Sequence, residues 1–128
     1  MKTIAVLSSA LLLIFSSCSL EIPMAVSEEN EIDHYELSVA NMNGITQSWE
    51  NEYVCTGDTS KLDIDPAINA GQLHVVIKDD ADNEIFNEIY NRISSDEQLV
   101  IAPAGRWKVE VHAKALTGSI AIELKTQK

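Results

Sequence analysis

From His34 onward the apolar and polar positions alternate with a period of mostly two, as they do in half-buried β-strands. The alternating stretches are 35–40, 45–55, 61–65, 72–78, 84–90, 98–102, 106–113 and 119–125. Turn chemistry separates them: Asn41-Met42-Asn43-Gly44, Thr56-Gly57-Asp58, Asp79-Asp80-Ala81-Asp82-Asn83, Pro103-Ala104-Gly105 and Thr117-Gly118. About eight short strands at this spacing predict an all-β, antiparallel β-sandwich. Residues 84–97 also hold Ile85, Ile89 and Ile93 every fourth position, as an amphipathic helix would. The hairpin-like Asp82-Asn83 and the strong alternation before it favour a strand over 84–90.

The stretch 62–77 parallels 99–111: strand, Pro-Ala corner (Pro66-Ala67, Pro103-Ala104), glycine (Gly71, Gly105), strand. Proline ends a ladder and glycine permits re-entry, so the two copies predict equivalent corners of one sandwich. At the C-terminal end, Trp107, Val109, Val111 and Ala113 are expected to face inward with Ile120, Ile122 and Leu124. A closing hairpin would then set Glu110 opposite Lys125 and His112 opposite Glu123, with 116–119 as its loop.

The chain opens on Met1-Lys2, runs apolar from Ile4 to Phe15, and reaches the small residues Ser16 and Ser17, which is the order of a secretory signal. The run is too short to span a bilayer comfortably. Phe15-Ser16-Ser17-Cys18 resembles the lipobox of bacterial lipoproteins, departing from it by Phe15 where Leu is usual. The resemblance implies acylation of the Cys18 sulfur, cleavage before it, and anchorage on the cell envelope facing the periplasm or the exterior. The implied division is a signal peptide over 1–17, a lipidated cysteine and flexible acidic tether over 18–33, and a β-sandwich over 34–128. The tether rests on Glu21, Glu28, Glu29, Glu31 and Asp33 in a stretch with no base before His34. The hairpin-like end, Gly105-Arg106-Trp107-Lys108-Val109-Glu110-Val111 with Gly118-Ser119-Ile120-Ala121-Ile122-Glu123-Leu124, resembles pre-peptidase C-terminal and GOLD-type β-sandwich modules. That resemblance implies a non-catalytic interaction module and brings no site residues with it.

The formal net charge is −11, and loss of Lys2 with the signal makes it one unit more negative. Such a surface excludes nucleic acid and direct adhesion to anionic head groups, which need basic patches, and permits basic partners or cations. With Cys18 acylated, Cys55 has no thiol to pair with and reads as a buried strand residue, so the core alone must hold the fold.

Candidate chemistry is sparse. His34, His74 and His112 are the only histidines, and strand parity lets His74 and His112 meet on an exposed face, with Glu123 as a nearby acid; no metal site is expected from them. Asp79, Asp80 and Asp82 form the densest oxygen-rich loop and are the calcium candidates, although their spacing departs from the EF-hand pattern. Trp49 and Tyr53, two strand repeats apart, are the candidate ligand-contact strip. No nucleophile triad, phosphate loop or Cys-x-x-Cys pair is present, so neither an enzyme nor a cofactor is expected. The sequence therefore predicts a membrane-anchored, non-catalytic binding or accessory module with a protein or glycan partner on the envelope. The alternatives are an acidic inhibitor or protective protein against a basic lytic enzyme or cationic peptide, and an unrecognised enzyme.

Overall fold

The computed structural model describes residues 22–127. The signal, lipobox and Cys18 lie outside the described residues. Six antiparallel strands make up the fold: β1 (Ala25–Glu31), β2 (His34–Cys55), β3 (Thr59–Lys78), β4 (Glu84–Tyr90), β5 (Asp96–Ile101) and β6 (Gly105–Thr126). They pair in the order β1-β2-β6-β3-β4, with β5 on the other half of β3. Eight short strands were expected; the alternating stretches are there, but β2, β3 and β6 run on for 20 to 22 residues and join them two by two.

Each long strand bends once and serves both layers. In β6 the inward positions are odd from Trp107 to Ala113 and even from Leu116 to Leu124, and the change of parity occurs at Ala115, whose φ is 47°. In β3 inward positions pass from even (Leu62, Ile64, Ile68) to odd (Leu73, Val75, Ile77) across Gly71, at φ 83°. In β2 the register slips repeatedly between Val39 and Gln47, with left-handed backbone at Asn41 and Gly44. One unpaired residue turns every later side chain to the opposite face, which is what a bulge does. The bends coincide across the sheet, Met42 and Ile68 both opposing Gly118. The ribbon β2-β6-β3 is thereby folded over on itself along a line.

Asn41–Gly44 and Thr117-Gly118, read from the sequence as chain reversals, are these bends. The expected closing hairpin does not exist, because residues 105–126 form one strand. Its register fails accordingly: Glu110 opposes Glu50 and Val76, while Lys125 opposes His34 and Lys61 in the other layer. The Pro-Ala parallel likewise splits into a bend within β3 and a connection between β5 and β6. Gly71 and Gly118 are required by contact as well as by φ, since a Cβ on either would collide with the carbonyl oxygen of Ala115 or Ala67.

The first layer holds β1, residues 34–40 of β2, 119–126 of β6, 59–68 of β3, and β5; the second holds the remaining halves with β4. Between them lies one core, in which Trp107, Tyr35, Tyr53, Leu37, Leu62, Ile64 and Leu73 are fully buried. Each such side chain contributes about 1.5–3 kcal/mol, against about 0–1 for an exposed ion pair. The core therefore dominates stability. Cys55 is buried and unbonded to another cysteine, with its Sγ 3.6 Å from the Gly105 carbonyl oxygen, and burial pushes its thiol up.

The acidic tether needs correcting. Residues 25–31 pair along their whole length with 34–40 and form the edge of the first layer. This strand has low apolar content because every one of its residues is exposed, and its stability comes from ladder bonds. Asp33, at φ 68°, closes the tight β1–β2 turn, and its carboxylate accepts from the Thr56 amide and hydroxyl, both at 2.7 Å.

Candidate functional site

The outer face of the first layer concentrates the acid. Cross-strand register opposes Glu29 to Glu36, Glu36 to Glu123, Glu123 to Asp63, and Asp63 to Glu97. Five carboxylates thus cross five strands in a single row. Alternation places them outward because their sequence neighbours Tyr35, Leu37, Leu62, Ile64, Ile122 and Leu124 are core. Like charges directly opposed across strands are unfavourable. Burial raises the Asp63 carboxyl, and Asp65, Glu97 and Glu123 raise it further against the opposing pull of Lys61.

The adjacent row is basic and relieves part of this load. Lys61 Nζ reaches Glu97 at 3.2 Å, and His34 Nε2 lies 2.8 Å from Glu123 Oε2. Among the described residues Glu36 and Asp63 make no ion pair. A shallow depression between the strands is lined by Glu36, Asp63, Asp65 and Glu123. Glu29 belongs to the acid-rich stretch 28–33, but no single run of acids in the sequence announces the whole face. The five acids come from four segments of the chain, with Glu29 and Glu36 sharing one hairpin, and only cross-strand register aligns them.

Other candidates fall elsewhere. Tyr53 is not a surface contact: it is fully buried, its hydroxyl hydrogen-bonded to Thr126 at 2.6 Å and Ser60 at 3.0 Å, its ring edge-on to Trp107 at 5.7 Å. Burial raises its phenol pKa, against the hydrogen bonds from Ser60 and Thr126. Trp49 is partly exposed on the edge of the second layer and packs against the core. The strip predicted for this pair is therefore reduced to Trp49 alone. Trp107 is buried as expected, its indole N–H donating to the Pro103 carbonyl at 2.9 Å.

His74 and His112 do meet on the outer face of the second layer, ring centroids 5.9 Å apart. Glu123 is not with them but in the first layer, beside His34. Their ring nitrogens are engaged by Asn87 (2.6 Å), Ser48 (2.7 Å) and Glu110 (3.3 Å). Lys78 Nζ also reaches Glu110 at 3.3 Å. Burial alone would raise the Glu110 carboxyl, but Lys78 and His112 outweigh it and hold it below the usual range.

In the β3–β4 loop, Asp79 is spent on its own turn. Its Oδ1 accepts from the Ala81 and Asn83 amides at 3.0 and 2.8 Å, and its Oδ2 from the Asn83 side chain. Asn83 holds its carboxyl low, an Asx-turn arrangement. Asp80 instead points toward the Arg106 amide, 3.5 Å away. The oxygen set suggested for calcium at Asp79, Asp80 and Asp82 is thus a capped hairpin tip. The convergent ligand group among the described residues is a different one, Glu29, His34 and Glu36.

No family model matches the chain, and no curated protein does. Among solved structures, the carbohydrate-binding module TmCBM61, solved in complex with β-1,4-galactotriose, aligns over 82% of this chain and 86% of its own at 12% identity and a TM-score of 0.47. A CBM4 structure aligns over 81% of this chain and 78% of its own at 10% identity and a TM-score of 0.44. The enzymatically active domain of tailspike protein 4 from bacteriophage CBA120 aligns over 80% of this chain at 16% identity and a TM-score of 0.45, and this chain spans only 17% of that one.

Proposed function

We propose that the protein is a lipid-anchored, non-catalytic binding module of the bacterial envelope whose acidic sheet face receives a basic partner. The observation that carries the reading is the row Glu29–Glu36–Glu123–Asp63–Glu97, in which opposed carboxylates load one face with charge that His34 and Lys61 compensate only in part. A basic surface docked there would relieve that repulsion, and complementary potentials steer such encounters. The anchor rests on the lipobox-like Phe15-Ser16-Ser17-Cys18; two or more acyl chains are what stable attachment requires.

A lysine-rich peptide is the probe. Its binding should weaken sharply between low and physiological ionic strength, and further in the Asp63→Asn/Glu97→Gln double variant. Salt-tolerant binding, or binding indifferent to both substitutions, would overturn the acidic-face reading. Cys18→Ser should release the chain from the membrane fraction, and an unacylated product by mass spectrometry would overturn the anchor.

A further inference from the structure

The β1–β2 hairpin sets a histidine beside two carboxylates of the acidic row, a donor set whose chemistry goes beyond the basic-partner reading. Glu29 on β1 directly opposes Glu36 on β2, and His34 lies two residues before Glu36 on the same face. A Glu29 oxygen, a His34 ring nitrogen and a Glu36 oxygen all lie within 4.8 Å of one another. We infer that Glu29, His34 and Glu36 bind one divalent transition-metal ion, with Zn²⁺ as the matching probe.

The chemistry of His34 separates this set from an ordinary acidic patch. Its Nε2 is 2.8 Å from Glu123 Oε2, and because a carboxylate only accepts, Nε2 must carry a proton. In the neutral ring Nδ1 then presents a lone pair, and it faces Glu29 Oε1 at 3.9 Å. In that tautomer two acceptors would face each other, 3.9 Å apart and beyond hydrogen-bonding range. A proton on Nδ1 would answer one of them at long distance, whereas a cation bonded at about 2 Å to each donor answers three at once.

Glu123 meanwhile occupies the place of the carboxylate that orients a metal-bound imidazole and strengthens its donation. Glu123 arrives from β6, opposite Glu36, so the ring is fixed from a different strand than the ligands. The imidazole donor selects for zinc-like metals over calcium, which takes oxygen ligands. Three protein ligands leave a fourth tetrahedral position for water. Because Glu29 belongs to the edge strand and the other two ligands to β2, the ion would also clasp β1 onto the sheet.

The test is a Zn²⁺ titration of the full chain in detergent by calorimetry, paired with thermal melting. The wild type should take up one ion per chain and melt at a higher temperature with Zn²⁺ than without. His34→Ala should lose both responses, Glu29→Gln should weaken binding, and Glu123→Gln should weaken it about 10–100-fold without abolishing it. Glu50→Gln, on the outer face of the second layer and outside both the ligand set and the acidic row, should titrate like wild type. Glu29 is 64% exposed, so Glu29→Gln keeps the test decisive if His34→Ala fails to fold. Absence of saturable uptake by the wild type, or wild-type titration by both His34→Ala and Glu29→Gln, would overturn the site. Peptide binding and metal binding are read separately, so either proposal can fail alone.

Discussion

On the outer face of the second layer, opposed like charges are rescued by their diagonals. Glu110 stands opposite Glu50, and Lys78 opposite Lys108, yet Lys78 reaches Glu110 at 3.3 Å and Arg106 reaches Glu52 at 2.7 Å. On the outer face of the first layer the same geometry gives Glu36 opposite Glu123 and Glu123 opposite Asp63, and the bases present reach Glu97, Glu123 and, at 3.9 Å, Glu29, leaving Glu36 and Asp63 without an ion pair among the described residues. The two faces share strands, twist and core. What differs is the balance of charge: Lys78, Arg106 and Lys108 stand against Glu50, Glu52 and Glu110 on one face, whereas five aligned carboxylates on the other have only His34, Lys61 and Lys125 in the neighbouring row, and that makes one face self-satisfied and the other receptive.

The comparison holds only while the ribbon stays folded, so the largest effect is expected at the bend. Gly71→Val imposes a side chain at φ 83° and drives a Cβ into the Ala115 carbonyl. It should destabilise by roughly 3 kcal/mol or more, about 12 °C or more in Tm; a melting curve within a few degrees of wild type would refute the required contact.

A smaller loss is expected in the core the two layers share. Tyr53→Phe removes the hydroxyl that joins Ser60 to Thr126. Leaving those buried groups underbonded should cost about 1–3 kcal/mol, and an unchanged denaturation midpoint would show that the network is dispensable.

The self-satisfied face can be broken by Lys78→Met, which strands Glu110. The folded-state pKa of Glu110 is depressed, so its contribution is present above its ordinary value of 4.5 and is lost as the pH falls through the lower folded value. Lys78→Met should therefore melt below wild type at neutral pH, and the gap should close under acidic conditions. A pH-independent gap would trace the effect to lost packing instead.

The smallest change sharpens the opposite face. Asp63 has a raised pKa, so ionising it on folding costs stability as the pH rises past the usual carboxylate range. Asp63→Asn should raise Tm slightly at neutral pH and not at all where the carboxyl is protonated. A fall in Tm at neutral pH would mean that the row is stabilising.

Alternation alone determined the all-β architecture, the strand stretches, and the inward placement of Trp107, Val109, Val111, Ile120, Ile122 and Leu124, because burial of one sheet face demands a period of two. It also gave strand rather than helix over 84–90, and the meeting of His74 with His112. Only the tertiary structure decided whether Asn41–Gly44, Gly71 and Thr117-Gly118 reverse the chain or bend it. Left-handed backbone serves a hairpin and a bulge equally well, and the choice depends on whether neighbouring strands bend at the same level. Tertiary structure also turned the supposed tether into an edge strand, whose exposed residues carry no hydrophobic signature. Finally, it assembled Glu29, His34, Glu36 and Glu123 from three strands. Glu29, His34 and Glu36 share one local hairpin, but Glu123 joins them through register between segments far apart in the chain, which no local pattern of residues encodes.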